Sequence, residues 1–167
     1  MRKANEYKRE INIRPYTPCD ANELTDIFHH AVHQIGSLDY SEIQVAAWSP
    51  EPVAGEKFNQ RVSDGRDVWV AVDEDEKPIG FIELERNGHI DCFYCSPEHA
   101  GRGVGAALYR RLEAVAIERG IKLLFVEASE AAQRFFMKVG FTTKKRRDFH
   151  HNGTQIHNYL MTKRCGS

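Results

Sequence analysis

The chain has 167 residues, of which 41% are hydrophobic and 28% charged, and its formal net charge is −1. This length suits one domain, 1–167, with a sizeable core at about 11–162, and the balanced charge offers no bulk field for nucleic acid or an anionic membrane. No apolar run nears the ~20 residues of a membrane span, and the opening "MRKANEYKRE" lacks the apolar stretch of a signal peptide, so a cytoplasmic protein is expected.

In chain order, Ile11 to Tyr16 alternates and predicts a first strand. Thr17-Pro18 opens a helix, with Thr17 as cap and Asp20 three residues on. Ala21, Leu24, Ile27, Phe28, Ala31, Val32 and Ile35 recur at helical spacing until Gly36. His29, His30 and His33 on this helix include an i, i+4 pair. No acidic third ligand or H-E-x-x-H pattern joins them, so an exposed face is expected, and no metal. Ser41 and Gln44 form a capping box before a short helix through Trp48, and a third helical piece runs from about Pro52 to Val62.

The period then becomes two. "DVWVAVD" predicts a strand, Asp73 to Glu76 a turn, "PIGFIEL" a strand, Asn87-Gly88 a hairpin turn and "HIDCFYC" a third strand. Val104 to Arg119 predicts a helix closed by Gly120. "KLLFVEA" reads as a buried strand and Ala131 to Val139 as a helix closed by Gly140. "FTTKKRRDF" and "QIHNYLMT" flank an Asn152-Gly153 turn. The basic run Lys144 to Arg147 reads as a solvated strand, and His150-His151 as surface. Of the four cysteines, Cys92 and Cys95 stand three apart on a strand, hence on opposite faces. Structural thiols in a reducing compartment are expected of them and of Cys19 and Cys165. The element order defines an α/β (α+β) domain with an antiparallel meander and one parallel crossover.

The stretch "CSPEHAGRGVGAALYRRL" carries the chemistry. Glycines 101, 103 and 105 let the backbone turn sharply and approach a ligand. The first amides of the following helix have no intrahelical acceptor and carry the positive end of its dipole, so a pyrophosphate is the natural occupant. Gly101-x-Gly103-x-x-Ala106 matches a dinucleotide fingerprint, with Glu127 at about the spacing of a ribose-binding acid. The context fails: Ser96 to Ala100 separate strand from glycines, and a meander precedes the motif. No Gly-Lys-Ser/Thr occurs for a Walker loop.

"FYCSPEHAGRGVGAAL" resembles instead motif A of the GNAT acyltransferase superfamily, and "ASEAAQRFFMKVGF" resembles that family's next motif. "KPIGFIEL" is similar to the strand before motif A, and "YSEIQVAAW" resembles a bacterial YafP-like branch. The resemblance covers nearly the whole chain, most closely Asp67 to Phe141. It implies a mostly antiparallel central sheet with a splayed parallel strand pair and helices on both faces. It implies acetyl-CoA as acyl donor, no metal, and transfer to a primary amine by direct attack, in a monomer or homodimer. The acceptor, small molecule or protein, is left open. Two positions depart from the family: Ala100 at the first motif position, and Phe136 where many members carry a tyrosine acid. That second departure keeps open an alternative, a non-catalytic CoA-binding regulatory or interaction module.

The resemblance implies that the pyrophosphate lies on Gly101, Arg102, Gly103, Val104, Gly105 and Ala106. The pantetheine arm would follow Phe93, Tyr94 and Cys95, with the Phe93 amide as oxyanion donor. Ser129 stands at a frequent cofactor-contacting asparagine, and Phe136 would wall the thioester. Strand parity puts His89, Asp91, Phe93 and Cys95 on one face. Asp91 or His89 is therefore expected as the base, with Glu83 on the adjacent strand a third candidate near the acceptor. Tyr109, Tyr159 and Ser129 are weighed as acids without a choice, since water can protonate a good thiolate leaving group. Trp48, beside Tyr40 and Phe58, is the first choice for an acceptor-site side chain.

Overall fold

Alternating apolar residues and helical stripes build the layers that the periodicities predict. The computed structural model describes residues 11–166, so the signal-peptide reading of residues 1–10 lies outside the described residues. Strand β1 (Asn12–Pro15) leads through a 3₁₀ turn at Pro18–Asp20 into helix α1 (Ala21–Gln34). The Thr17 N–H donates to Asp20 Oδ2 at 2.9 Å, and Arg14 pairs with the same carboxylate at 2.8 Å, which fixes the strand-to-helix entry. Helix α2 (Glu42–Trp48) starts at the expected Ser41/Gln44 box. Helix α3 (Gly55–Val62) starts three residues later than the sequence predicts, with Ala54 extended as its N-cap.

Next come β2 (Asp67–Val72), β3 (Pro78–Leu84), β4 (His89–Cys95), α4 (Val104–Glu118), β5 (Leu123–Ala128), α5 (Glu130–Lys138), β6 (Thr142–His151) and β7 (Thr154–Arg164). The final hairpin is longer than predicted, because Asn152 (φ 48°) and Gly153 (φ 76°) make a two-residue turn that lets pairing run to its tip. Lys144 to Arg146 are exposed on β6, as are His150 and His151.

Among the described residues the strands form one seven-stranded sheet ordered β1-β2-β3-β4-β5-β7-β6, antiparallel except for the β4–β5 pair. One face packs Leu24, Ile27, Phe58 and Val62 of α1 and α3 on Val68, Val70, Val72 and Phe81. The other packs Leu108, Leu112, Ala116 and Phe136 of α4 and α5 on Ile82, Leu84, Ile90, Leu124 and Met161. Val32, Tyr40 and Val45 seal the end of α1 and α2 against Ile156 of β7. Among the described residues no helix is long and apolar enough to cross a membrane.

The α1 histidines differ from expectation. Only His30 is exposed. The His33 Nε2–H donates to Ser49 O at 2.7 Å, and His29 Nδ1 bonds Ser49 Oγ at 2.7 Å, tying α1 to the end of α2.

Candidate active site

The parallel strands β4 and β5 pair at two positions only, His89 with Phe125 and Ile90 with Val126, and then part. On its other edge β4 stays paired to β3 through Cys95, and the Ser96 N–H still donates to Ile79 O at 2.8 Å. Antiparallel bonding alternates, so the backbone groups of Tyr94 face β3 while those of Phe93 and Cys95 face the gap. A cavity of about 210 Å³ occupies that gap. Phe93, Tyr94 and Cys95 line it from β4, Gly105 from α4, and Ser129, Ala132 and Phe135 from α5. Val32, Tyr40 and Trp48 close it from the α1 side.

The glycine turn stands at the mouth. Gly101 and Gly103 have φ of 76° and 80°, which side-chain-bearing residues rarely adopt, and a Cβ on either would meet nothing within 4 Å. Gly103 caps α4, whose first bond is Ala107 N–H to Gly103 O at 3.1 Å, so the amides of Val104, Gly105 and Ala106 precede the helical ladder. The Val104 side chain is buried and Arg102 is exposed. At Gly105 a Cβ would come within 3.0 Å of the Phe93 ring, so the absent side chain is what brings the helix start against β4. Open space before positive-φ glycines, free amides and a dipole end fit a diphosphate, and the adjoining apolar slot fits a thioester arm.

The shared face expected along β4 is corrected. Leu84 pairs with Ile90 and Ile82 with Phe93, so two steps on β3 oppose three on β4. This bulge reverses the alternation. Phe93 and Cys95 pack with the α4–α5 core, whereas Asp91 and Cys92 turn to the α3 side, where Arg61 reaches both. Burial raises the Cys95 thiol pKa to about 12 and the Cys92 thiol pKa well above its ordinary value.

All three proton-acceptor candidates are engaged. Glu83 is fully buried, yet its Oε1 accepts from Arg61 and Arg66 at 2.7 Å each and its Oε2 from Arg61 at 2.7 Å. A carboxylate at that depth needs such compensation. Asp91 Oδ2 accepts from Arg66 at 2.7 Å and Arg61 at 3.0 Å, its side chain remaining 34% exposed. His89 donates from Nδ1 to Glu85 at 2.9 Å and from Nε2 to Glu127 at 2.5 Å. The Glu127 hydrogen bond is the largest cause that raises its pKa to about 9. The convergent donor sets Glu83–Asp91–Cys92 and Glu85–His89–Asp91 are thus already held by guanidinium and imidazole groups.

Phe136 does not wall the cavity. It is fully buried behind Phe93, 5.5 Å away between ring centres, and its neighbour Phe135 takes the lining position. Tyr109 is buried too, bonded to Glu113 and Lys163. The Tyr159 hydroxyl donates to Glu130 at 2.7 Å, and Ser129 Oγ caps α5 by accepting from Ala132 N–H. Sequence reasoning missed Arg61 and Arg66, although a glutamate inside "PIGFIEL" signals a cationic partner. It also left Tyr40 as packing. The Tyr40 hydroxyl accepts from Glu130 N–H at 3.1 Å and donates to His157 O at 3.0 Å, bridging α5 to β7 beside the cavity.

A sheet parted at one parallel pair, with a glycine-capped helix at the opening, defines a class. Residues 37–163 match the acetyltransferase (GNAT) domain. The chain is 33% identical over 151 residues to the uncharacterized N-acetyltransferase YafP of Escherichia coli (strain K12), covering 90% of this chain and 94% of that protein. A GCN5-related N-acetyltransferase from Rhodopseudomonas palustris superposes with a TM-score of 0.85 at 38% identity, covering 92% of this chain and 95% of that one. The phosphinothricin acetyltransferase Pat of Sinorhizobium meliloti, solved in complex with AcCoA, shares the fold at a TM-score of 0.74 and 21% identity, over 93% and 89% of the chains. The chain belongs to the GNAT acetyltransferase family.

Proposed function

We propose that the protein moves an acetyl group from acetyl-CoA to a primary amine by direct attack. The observation that carries this reading is the gap between β4 and β5, lined by unpaired backbone groups and opening onto a glycine-capped helix start. Acetyl-CoA, when bound, supplies an activated thioester. The amides from Gly101 to Ala106 would hold its pyrophosphate, with Arg102 at the rim. The backbone of Phe93 and Cys95, with Tyr94, Ser129 and Phe135 around the slot, would grip the arm. The Phe93 N–H is the donor we assign to the thioester oxygen, where it stabilises developing negative charge.

An alkylamine is mostly protonated near neutral pH and must lose a proton to attack. Asp91 is the acceptor we assign, directly or through water, because its Oδ1 has no partner among the described residues and its side chain is partly exposed. His89 holds protons on both nitrogens against carboxylates and has no lone pair to offer. Glu83 anchors the two arginines that orient Asp91. Trp48 and Tyr40 wall the acceptor side. The four free cysteines suit a reducing cytoplasm. The test is thiol release from acetyl-CoA with a panel of small amines and lysine peptides. Release that needs both acetyl-CoA and an amine supports the assignment, and cofactor binding without turnover on any amine overturns it.

A further inference from the structure

The parallel ladder at the base of the cleft is only two residue pairs long, so little backbone bonding holds β5 to β4 where the gap begins. Among the described residues, one side-chain hydrogen bond joins these strands, from His89 Nε2 to Glu127 Oε2 at 2.5 Å. The ring is held in place on three sides. Its Nδ1 meets Glu85 Oε1 at 2.9 Å, its plane stacks on Phe125 at 4.9 Å and 19°, and the side chain is only 17% exposed. Ionised carboxylates only accept hydrogen bonds, so a ring bonded to one at each nitrogen carries both protons. Charged groups face it from every neighbouring element. Glu85 comes from the β3–β4 turn, Asp91 from β4 itself and Glu127 from β5. Behind them stand Arg66, 3.6 Å from Glu85, and Arg147 of β6, 3.8 Å from Glu127.

We propose that the His89 imidazolium is a positioning residue that clasps β5 to β4 at the apex of the cleft, sets the width of the gap and makes acetyl-CoA affinity depend on the charge of this ring. The inference rests on the acetyl-CoA reading of that gap. Loss of one proton turns a donor nitrogen into a lone pair facing a carboxylate lone pair. One of the two bonds becomes a repulsion, and Glu127 is released from β4 or His89 from its turn. Two flanking carboxylates hold the ring charged through neutral pH, its pKa raised to about 9.

The experiment is acetyl-CoA binding by calorimetry from about pH 7 to about pH 10 on the full chain, in wild type, His89→Gln and Glu127→Gln, with an NMR titration of the His89 ring. Acetyl-CoA has no free thiol to titrate in that range. We expect the wild-type Kd to weaken by about fivefold or more as the ring deprotonates. Both variants should bind more weakly at neutral pH and lack that pH-dependent component. The His89 ring should titrate well above the ordinary ~6.5, and in Glu127→Gln its titration should move downward. A ring that titrates near the ordinary value overturns the clasp, as does the same pH profile in all three proteins. A wild type that binds acetyl-CoA indifferently to pH, with variants of equal affinity, overturns the clasp and leaves the cofactor reading standing. A wild type that binds no acetyl-CoA at any pH overturns both.

Discussion

Phe136→Tyr is expected to cost stability and to bring no rate. Phe136 is fully buried, with ring centres of Phe141, Phe135, Phe93 and Tyr109 at 4.9, 5.3, 5.5 and 6.3 Å. A para-hydroxyl would enter this aromatic cage without an acceptor, since the Tyr109 hydroxyl is already engaged by Glu113 and Lys163. An unsatisfied buried hydroxyl costs about 1–3 kcal/mol. Forcing an extra heavy atom into a packed core costs about 1–3 kcal/mol more. A sum of about 2–6 kcal/mol in a chain of this size is a fall in Tm of roughly 5–20 °C. Urea and thermal unfolding measure the first quantity, and steady-state acetyl transfer to the acceptor found by the amine panel measures the second. An unchanged Tm together with a kcat gain on the order of 10²–10⁴-fold, the scale of a restored general acid, would refute the reasoning. It would place the ring at the thioester and favour a CoA-binding module that lost its catalytic tyrosine.

Gly103→Val should abolish most acetyl-CoA affinity, while Gly120→Val, at a similar φ of 69° but at the far end of α4, should share the backbone strain of about 1–3 kcal/mol and keep wild-type affinity; calorimetry on both variants checks this, and equal affinities would remove the turn from the site. Asp91→Asn should lower kcat by about 10²–10⁴-fold with a near-normal acetyl-CoA Kd, and a wild-type rate would strip Asp91 of its proton-accepting role. Glu83→Gln should destabilise by about 3–5 kcal/mol in urea unfolding, because Arg66, only 7% exposed, keeps a buried charge with one partner fewer; a loss below about 1 kcal/mol would mean that Asp64 and Asp91 compensate it fully. The His89 pKa is raised on folding, so its stabilisation is complete below the free-imidazole value near 6.5 and is lost as pH rises through about 9; thermal melts across that window should show a decline that His89→Gln lacks.

Much of the scaffold was legible because its signals are local. The apolar stripe of α1, the Ser41 box, the meander alternation and the glycine punctuation each act within a few residues, and each produced its element. The misread boundaries fall where tertiary contacts decide. Pairing carried β6 to His151 and β7 to Arg164, beyond the hydrophobic pattern, because ladder bonds continue wherever a partner strand continues. Motif A was legible for a different reason. A positive-φ turn feeding a helix demands glycine at fixed spacing whatever surrounds it, so the backbone requirement is written directly in residue types.

The faces of the proton-acceptor candidates on β4 were misread because a bulge leaves no composition signal. One extra residue between Ile90 and Phe93 separates the side chains of Asp91 and Phe93 onto opposite faces, and strict period-two counting could not register it. The same bulge gives the β4 strand two tasks at once. Phe93 and Cys95 keep their backbone toward the gap, where the proposed cofactor arm would take hydrogen bonds, while Asp91 is turned through the sheet into the arginine pair on the α3 side. A flat strand would put Asp91 on the α4–α5 face with Phe93, against buried apolar packing where an unpaired carboxylate is costly. The fully buried Glu83 and its two guanidiniums then have a clear use. They hold the Asp91 side chain beside the parted strands, on the side of the sheet away from α4 and α5, while the backbone of Phe93 and Cys95 faces the gap itself.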